Sequence, residues 1–545
     1  MEVFLKAVEG IVRLRGSLLA GRLSSACAHP QAESDKTLRR ILSYAKNTEF
    51  GRTHRFAWVL GASSHKALMR RWNEAVPPSS YSDIEALVER HKNGEGDLLI
   101  PGHPLMYATT SGTTGKPKWL PVSRRYARSV YGCMTWIWGW EMMRAGARIF
   151  RGKLFYSVGA AVEGYAPDGT PCGSVSGYTR KRIPSFVDRF YAFPPCVDEI
   201  TDPEARYYTM MRCALVRKLS LIATANPSTV ERLIEVAHKY YDELLSDIQH
   251  GTLSYKLKID PGVRSQLEFR PEPARAFELR GKSSPAEWWP ELQILCTWKS
   301  GNTALSAQRL KPAFPESMIH QEVGYFASEC RFGLCMDGSD TTVPFPHMHF
   351  YEFVDEADLD SPRPEFLTLA QLQDGHRYCP YITTISGLYR YNMNDLVEVC
   401  GLFGKTPRIR FVQKINGIVS ITGEKLSEQQ FSQAVLDLRP QMPFFIGFAD
   451  VQAGRYEFFF EDPHAAAVAQ GIDSRLCKLN MEYAAKRSSG RLGAPKGVRL
   501  PEGSAQRYRA HLVAQGRRDA QFKWILLQQN DVELEFFRNL CASGR

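Results

Sequence analysis

The chain has 545 residues, which is too long for one ordinary domain and predicts a large unit with at least one smaller one. Hydrophobic residues make up 44% and charged residues 23%, proportions typical of a globular protein and not of a disordered or collagen-like one. The net charge of +11 is modest for this length, so it allows an anionic substrate and does not indicate a nucleic-acid partner.

The first hundred residues are predicted to be helical, because apolar side chains recur there at spacings of three and four. Residues 1–23 mix acidic and basic side chains into this pattern, so we expect an amphipathic helix that docks on the protein and not a secretory signal. The longest nearly apolar run, residues 130–140, is about half the length of a membrane span, so no span is expected. The 12 cysteines form no Cys-x-x-Cys motif, which favours reduced thiols and a cytoplasmic location.

Strands and helices alternate after this helical region. Residues 151–159 and 291–298 read as buried strands. A long helix with Ser228 as its N-cap is predicted between them. The alternation predicts an α/β or mixed α+β fold, with a large multilayered N-terminal domain whose β-sheets are flanked by helices.

A break near residues 415–425 separates a smaller C-terminal part. Beyond it the pattern predicts a helix, two strands around a glycine turn, and a further helix over residues 474–487. We therefore predict two domains, residues 1–424 as the large domain and residues 425–545 as a small, mobile α+β domain. Basic side chains are frequent in residues 486–523, where they form either a solvated face or part of a lid that closes over phosphates.

The stretch YATTSGTTGKPKWLP, residues 107–121, has the composition of a phosphate loop but is not a Walker loop. Its glycines are separated by two residues where a Walker loop has four, and a proline follows the first lysine, so a helix does not easily begin there. Hydroxyl groups, lysines and glycines that allow close backbone approach can together form an anion nest. The alternative is an ordinary exposed turn. The candidate phosphate-binding residues are Ser111, Gly112, Thr113, Thr114, Gly115, Lys116 and Lys118.

This loop resembles the first signature of the adenylate-forming superfamily, which contains acyl-CoA synthetases, peptide-synthetase adenylation domains and luciferases. GYFASECRFG at residues 324–333 resembles the second signature, and GLYRYNMNDLVEV at residues 387–399 resembles the third with inserted residues. The text around these motifs, from about residue 75 to about residue 525, is similar to the auxin-responsive acyl-acid-amido synthetases. The chain therefore resembles that family most closely.

The resemblance implies ATP and Mg2+ as cofactors. The first motif would hold the β- and γ-phosphates through Ser111, Thr113, Thr114 and Lys118, with Lys116 assisting. Lys425 and Lys523 would approach the α-phosphate as catalytic residues. Attack by a carboxylate on the α-phosphorus gathers negative charge on a group that is already anionic, so lysines, Mg2+ and N–H dipoles are needed to neutralise it.

The resemblance assigns four further roles in the second and third motifs. Tyr325 would pack on the adenine ring, and Ser328 would meet the α-phosphate. Glu329 would be catalytic as the ligand of Mg2+, a cation that prefers hard oxygen ligands. Asp395 would accept hydrogen bonds from the ribose hydroxyls, because a carboxylate offers two acceptor oxygens.

The chain departs from the family pattern at three places. Asn394 stands where glycine is usual, and asparagine tolerates the left-handed backbone that the turn requires. Lys414 stands where the plant members usually carry arginine, and lysine lacks the planar fork of a bidentate contact. Phe326 and Ala327 replace the usual small pair after the aromatic residue.

We interpret the chain as an ATP-dependent ligase that acts in two half-reactions. An acyl acid and ATP give an acyl-adenylate and pyrophosphate, and an amine, expected to come from an amino acid, then takes the acyl group and releases AMP. The expected partners are therefore small molecules, and no carrier protein is evident. An acyl-CoA ligase on the same scaffold is the nearest alternative. A nucleotide-binding relic that acts in protein interaction is a third, which the departures at Asn394 and Lys414 keep open.

Overall fold

Two compact units make up the chain. The computed structural model describes residues 2–109, 118–144, 148–183, 185–359, 361–422, 424–515 and 524–542. The first unit comprises residues 1–299, 303–393 and 397–410, and the second comprises residues 300–302, 394–396 and 411–545. The predicted domain boundary between residues 424 and 425 stays a prediction, and so does the mobility of the C-terminal domain.

Helices fill the beginning of the first unit. In chain order its helices are α1 (Glu2–Ala28), α2 (Pro30–Ala45), α3 (Glu49–Thr53), α4 (Phe56–Leu60), α5 (His65–Ala75), α6 (Tyr81–Lys92), α7 (Arg124–Tyr126), α8 (Gly132–Arg144), α9 (Val175–Lys181), α10 (Ser185–Asp188), α11 (Pro203–Leu215), α12 (Pro227–Lys239), α13 (Tyr241–His250), α14 (Pro261–Arg264), α15 (Pro273–Leu279), α16 (Pro285–Trp288) and α17 (Ala304–Leu310). A π-helical turn, Ala127–Tyr131, joins α7 to α8.

The N-terminal helix packs on the aromatic helix α8. A Cβ atom added at Gly16 would lie 2.2 Å from Cβ of Trp140, and the guanidinium of Arg15 lies 4.7 Å from the ring centroid of Trp136. The amphipathic segment therefore docks on its own unit, as its pattern indicated. Among the described helices, none combines the length and the apolar character needed to cross a membrane.

The strands of the first unit form three sheets. They are β1 (Met106–Thr109), β2 (Trp119–Val122), β3 (Lys153–Tyr156), β4 (Gly164–Tyr165), β5 (Pro171–Gly173), β6 (Leu219–Ala223), β7 (Ile294–Thr297), β8 (Ile319–Glu322), β9 (Gly333–Cys335), β10 (Thr342–Pro344), β11 (Phe350–Asp355), β12 (Leu367–Thr368), β13 (Arg377–Thr383), β14 (Tyr391–Asn392), β15 (Asp395–Phe403) and β16 (Thr406–Lys414). The ends of β15 and β16 that carry Asp395 and Lys414 are counted with the second unit.

The central sheet has the order β3-β6-β7-β8, and all its strands run parallel. Its two faces are both covered. Phe155, Ile222 and Leu295 belong to a core shared with helices α11 and α12, whereas Leu221 and Ile294 belong to a core shared with α8. Burial on both faces explains why these strands are continuous apolar runs in the sequence. The carboxyl ends of parallel strands lie at one edge, which is where ligands bind in open α/β sheets.

The other two sheets of the first unit carry the motif segments. One has the order β2-β1-β5-β4, in which β1 and β2 form an antiparallel hairpin around the first motif. The larger one has the order β12-β11-β13-β15-β16-β10-β9, with β14 paired to β13. The third motif lies on β14 and at the start of β15.

The second unit is a four-stranded sheet with helices on both faces. Its elements are β17 (Ile418–Val419), β18 (Leu426–Ser427), α18 (Glu428–Leu438), β19 (Phe445–Asp450), β20 (Arg455–Phe460), α19 (Ala465–Leu479), α20 (Met481–Ser488), β21 (Lys496–Arg499), α21 (Ser504–Ala514), β22 (Leu527–Gln528) and α22 (Asp531–Ala542). The sheet order is β21-β20-β19-β22. Phe458 stacks on Phe431 of α18 at 4.6 Å, while its neighbour Phe459 packs on Phe537 of α22 at 5.6 Å. Adjacent strand residues point to opposite faces, so the sheet has a core on each side.

Two local predictions are wrong. The cap of α12 is Asn226 and not Ser228, because the side chain of Asn226 accepts the N–H of Ser228 at 3.1 Å. The helix predicted over residues 474–487 is two helices, α19 and α20, divided at Asn480. In both cases an asparagine side chain satisfies free N–H groups at a helix start, a role that serine and asparagine share in sequence statistics.

Candidate active site

The first motif lies in the loop of the β1–β2 hairpin. Thr109 and Trp119 face each other in the antiparallel register, so the two ends of the loop are held side by side. The candidates Ser111, Gly112, Thr113, Thr114, Gly115 and Lys116 lie outside the described residues. Lys118 is described, and its ammonium nitrogen lies 5.9 Å from the ring centroid of Tyr81. The hydroxyl of Tyr81 accepts the N–H of Trp119 at 3.0 Å, which ties α6 to the base of the loop.

The second motif is a tight hairpin after the carboxyl end of β8. Phe326 and Arg331 form an antiparallel bridge, and the N–H of Ala327 donates to the carbonyl of Cys330 at 2.9 Å. Ser328 and Glu329 therefore occupy the tip of the hairpin, and both are half-buried.

This tip meets the base of the first motif. The hydroxyl of Ser328 donates to the carbonyl of Thr109 at 3.4 Å, although the two residues are 219 positions apart. Thr109 is the last residue of β1 before the loop of the first motif. The fold therefore brings the second motif to the place where the first one begins.

The third motif approaches the same place through Tyr391. Burial raises the pKa of the Tyr391 hydroxyl, and the nearby negative charge of Glu329 raises it further. Tyr81, which supports the base of the loop, also acts on Tyr391 electrostatically. The first unit thus gathers Thr109, Ser328, Glu329 and Tyr391, which come from three motifs that are far apart along the chain.

Tyr325, the candidate for the adenine, is buried with one ring face covered. Its ring stacks on Phe332 with centroids 4.7 Å apart and an interplanar angle of 29°. Tyr325 follows β8 at the carboxyl edge of the parallel sheet, the edge at which nucleotides are bound in folds of this kind. Its contact with adenine stays a prediction.

Asp395 belongs to the second unit, where it forms an ion pair with Lys414. The carboxylate is buried and the lysine is half-exposed. The preceding residue, Asn394, has a φ of 53°, so the left-handed turn expected from asparagine at this position is present. Lysine offers a point charge to Asp395 where arginine would offer a planar fork.

Lys425 also belongs to the second unit, and it is exposed with a φ of 46°. The side-chain amide of Asn480 donates to the carbonyls of Glu424 and Lys425 at 3.1 and 3.3 Å. Burial disfavours the charge on Glu424, but the hydroxyl of Tyr456 and two backbone N–H groups donate to it, and the pKa of this carboxyl lies below its usual value. A hydrogen-bonded turn therefore presents Lys425. The other catalytic candidate, Lys523, lies outside the described residues.

The donor set suits a magnesium ion that is bound together with a nucleotide. Among the described residues no group of three or more histidine, cysteine, aspartate or glutamate side chains could hold a metal ion. Mg2+ is usually held by one or two carboxylates together with substrate phosphates, and it keeps several waters. A single half-buried carboxylate at Glu329, beside the residue from which the loop of the first motif starts, fits that arrangement.

Sequence reasoning missed three residues that the structure places at or behind the motifs. Arg331 lies buried beside Ser328 and Glu329, Glu352 forms a buried ion pair with the third motif through Arg390, and Glu424 anchors the turn at Lys425. A charged residue inside the apolar run CRFGLC was the one available signal for Arg331. No sequence signal links Glu352 to Arg390, because the pairing depends on the sheet order.

Comparison with known families covers most of the chain. The model of the GH3 family N-terminal domain matches residues 19–319, that of the GH3 family central domain matches residues 342–414, and that of the GH3 family C-terminal domain matches residues 429–531. Indole-3-acetic acid-amido synthetase GH3.4 of Arabidopsis thaliana is 25% identical over 517 residues, which are 87% of this chain and 85% of that protein. The resemblance drawn from the three motifs is confirmed.

Solved structures share the fold. The structure of the GH3.15 acyl acid amido synthetase matches with a TM-score of 0.83 and 21% identity, covering 96% of each chain. A 2-hydroxyisobutyryl-CoA ligase in the postadenylation state matches with a TM-score of 0.53 and 14% identity, covering 94% of this chain and 91% of the other. The predicted mixed α/β architecture, with sheets flanked by helices and a C-terminal sheet domain, is confirmed.

Proposed function

The chain belongs to the GH3 family, and from this premise we propose that it is an ATP-dependent acyl-acid-amido synthetase. In the first half-reaction the carboxylate of an acyl acid attacks the α-phosphorus of ATP, which gives an acyl-adenylate and releases pyrophosphate. In the second, the amine of an amino acid attacks the acyl carbonyl, which forms the amide and releases AMP. The curated relatives that support this activity are indole-3-acetic acid-amido synthetases.

The observation that carries the proposal is the contact between the first two motifs. The hydroxyl of Ser328 reaches the carbonyl of Thr109, so the tip that carries Glu329 lies beside the residue from which the phosphate loop starts. A triphosphate held by that loop would lie within reach of Ser328 and Glu329.

Each motif residue has a proposed task in the first half-reaction. The loop from Ser111 to Lys118 holds the β- and γ-phosphates through N–H groups, hydroxyls and lysines. Glu329 holds Mg2+, which when bound neutralises the charge that develops on the phosphates. Asp395 accepts hydrogen bonds from the ribose. Lys425 and Lys523 bring positive charge to the α-phosphate, where the attacking carboxylate adds negative charge. The cytoplasmic location expected from the cysteines stays a prediction.

The proposal is tested by ATP–pyrophosphate exchange over a panel of carboxylic acids, followed by mass spectrometry of products formed with mixed amino acids. We expect exchange with at least one acid, and an amide product in the absence of CoA. A product that forms only with CoA would make the chain an acyl-CoA ligase. ATP binding without exchange for any acid would make it a nucleotide-binding relic.

Replacement of Glu329, the metal-binding candidate, gives the most direct test of the first half-reaction. We expect Glu329→Ala to abolish pyrophosphate release, because no other carboxylate is proposed to hold Mg2+ beside the phosphate loop. Glu316→Ala, which removes an exposed glutamate of the same unit, is the matched control and should exchange like the wild type. Wild-type turnover in Glu329→Ala would refute the assigned metal role.

A further inference from the structure

The second motif contains a buried arginine to which the proposed reaction gives no task. The side chain of Arg331 starts at the base of the hairpin whose tip carries Ser328 and Glu329, and its backbone N–H donates to the hydroxyl of Tyr126 at 2.8 Å. Only 7% of the residue is exposed. The guanidinium is therefore held a few residues from the proposed reaction centre.

Two aromatic rings hold this guanidinium. Its central carbon lies 4.0 Å from the ring centroid of Tyr131 and 4.5 Å from that of Phe326. One terminal nitrogen, Nη1, donates to the carbonyl of Tyr131 at 3.1 Å and to the hydroxyl of Thr135 at 2.8 Å. Every one of these partners is electrically neutral. The quadrupoles of the rings and the dipoles of the oxygen groups therefore orient the cation without neutralising it.

The positive charge of Arg331 has no acidic counterpart in the described part of the chain. No carboxylate there forms an ion pair with it, and its buried Nε has no hydrogen-bond partner. Two other buried arginines of the same unit do have one, since Arg180 pairs with Asp188 at 2.9 Å and Arg390 pairs with Glu352 at 3.1 Å. The buried Arg212 instead donates to two backbone carbonyls. A buried charge is normally paired, because an uncompensated one costs several kcal/mol. The missing anion is therefore expected to arrive with a ligand.

The place of the arginine suits a small-molecule ligand. Tyr131 ends the π-helical turn before α8, and such turns are frequent at functional sites. Tyr156, the last residue of β3, lies close enough for the charge of Arg331 to oppose the rise in its pKa that burial causes. Phe326 follows β8. Tyr156 and Phe326 thus come from the carboxyl edge of the parallel sheet, where open α/β sheets bind their ligands.

We propose that Arg331 binds a carboxylate that is carried by one of the two organic substrates and is not consumed in the reaction. The inference rests on the proposed function and adds a substrate class to it. The carboxylate is either the second acid group of a dicarboxylic acyl acid or the α-carboxylate of the amino acid. A planar guanidinium recognises either one through paired N–H groups.

Two variants of the arginine test the inference. Arg331→Gln removes the charge, and Arg331→Lys keeps it without the planar fork. Exchange is measured with glutarate and with its monocarboxylic counterpart pentanoate, alongside the acids that the wild type uses best. Amide formation is measured with leucine and with leucinamide, which lacks the carboxylate.

We expect Arg331→Gln to raise the KM of the substrate that carries the bound carboxylate by about 10- to 100-fold, the range of a hydrogen-bonded charge. The KM for ATP should stay within about twofold. Arg331→Lys should recover part of the loss, because a point charge still attracts the anion. A change in the glutarate arm alone assigns the carboxylate to the acyl acid, and a change in the leucine arm alone assigns it to the acceptor.

Arg212→Gln is the matched control for removal of a buried guanidinium. Arg212 also lies over an aromatic ring, that of Phe269 at 4.7 Å, and it donates to backbone carbonyls. It belongs to α11, and its acceptor carbonyls lie in α13 and just after it, away from the three motifs. Its variant should leave both KM values unchanged. Circular dichroism confirms that each variant is folded before kinetics are compared.

Two results would overturn the inference. One is an Arg331→Gln variant that is folded and keeps the wild-type KM for both organic substrates. The other is a rise in the KM for ATP alone, which would make Arg331 a phosphate ligand. If the wild type exchanges with no acid, the proposed function fails by itself. Calorimetry with glutarate and leucine then still tests Arg331, and equal binding to the wild type and to Arg331→Gln would contradict the inference.

Discussion

Two motif arginines of the first unit, Arg331 and Arg390, are both buried, and they differ in what balances their charge. Arg390 pairs with Glu352 at 3.1 Å, donates to Asn73 at 2.8 Å, and lies 3.8 Å from the ring centroid of Phe366. Arg331 has aromatic and neutral oxygen partners but, among the described residues, no carboxylate. The same residue type thus supports the fold in one motif and is left ready for a ligand in the other.

The buried ion pair between Arg390 and Glu352 has an energetic cost of its own. Burial raises the pKa of Glu352 and lowers that of Arg390, although each partner opposes the shift of the other. For each group, the unfavourable free energy of removal from water therefore exceeds the favourable free energy of the ion pair, as is usual for buried ion pairs. The pair is sensitive to the loss of one partner and tolerant of the loss of both.

The largest effect is expected from breaking that pair. Glu352→Gln leaves Arg390 buried without a counter-charge, and we expect it to lower the free energy of unfolding by about 3–5 kcal/mol. Tryptophan fluorescence in urea measures the loss, and Trp72, whose indole N–H donates to Glu352 at 3.0 Å, reports on the site directly.

Two companion variants decide whether the comparison holds. The double variant Glu352→Gln with Arg390→Met should recover a good part of the stability, because no lone charge remains. Arg331→Gln should cost less than about 1.5 kcal/mol, since it removes two hydrogen bonds to neutral groups and breaks no ion pair. If Glu352→Gln and Arg331→Gln lose equal stability, the distinction between the two arginines is wrong.

Glu428 extends the comparison to a buried carboxylate that has a neutral donor. The N–H of Leu526 donates to it at 2.9 Å, and burial raises its pKa from 4.5 to about 7. Because the folded-state pKa is raised, its contribution to stability is complete below about pH 4.5 and is lost as the pH rises through about 7. Relative to Glu428→Gln, whose amide does not titrate, the wild type should lose about 3 kcal/mol over this interval.

Hydrogen exchange measures this loss locally. Phe431 is a buried residue of the helix α18 that Glu428 begins, so the protection of its amide should fall with pH in the wild type more steeply than in the variant. A pH dependence that is equal in the two proteins would show that Glu428 keeps its ordinary pKa in the folded state.

The smallest effect is expected at Lys414, where a charge pair already exists and only its geometry changes. Lys414→Arg gives Asp395 a planar fork in place of a point charge. We expect the KM for ATP to fall by about two- to fivefold, because a carboxylate that is held in a fixed orientation is a better acceptor for the ribose hydroxyls. Lys414→Gln should raise the KM for ATP. Equal KM values for the arginine and glutamine variants would show that Asp395 does not bind the ribose.

The elements that could be predicted from the sequence are those determined by local pattern. The strands β19 and β20 follow from alternation around a glycine turn, and α18 follows from its polar start and apolar spacing. The motif residues were found because their types suit phosphate chemistry. The division at Asn480 was missed, because the apolar pattern continues through it and only the capping side chain ends one helix and begins the next.

Pairings across the sheet could not be predicted. Trp72 and Glu352 are 280 positions apart, and no local pattern joins them. The pattern of the second motif predicts no role for Arg331, because that role depends on whether an acidic side chain lies beside it, and none forms an ion pair with it among the described residues. That information exists only once the strands are assembled.

The turn at Lys425 shows where this protein accepts local strain. A left-handed backbone costs a residue with a side chain about 1–2 kcal/mol, and glycine would avoid the cost. The chain instead keeps a lysine there and secures the turn with the amide of Asn480. Lys425→Gly should therefore raise the free energy of unfolding and, under the role proposed for this ammonium group, lower the rate of adenylation.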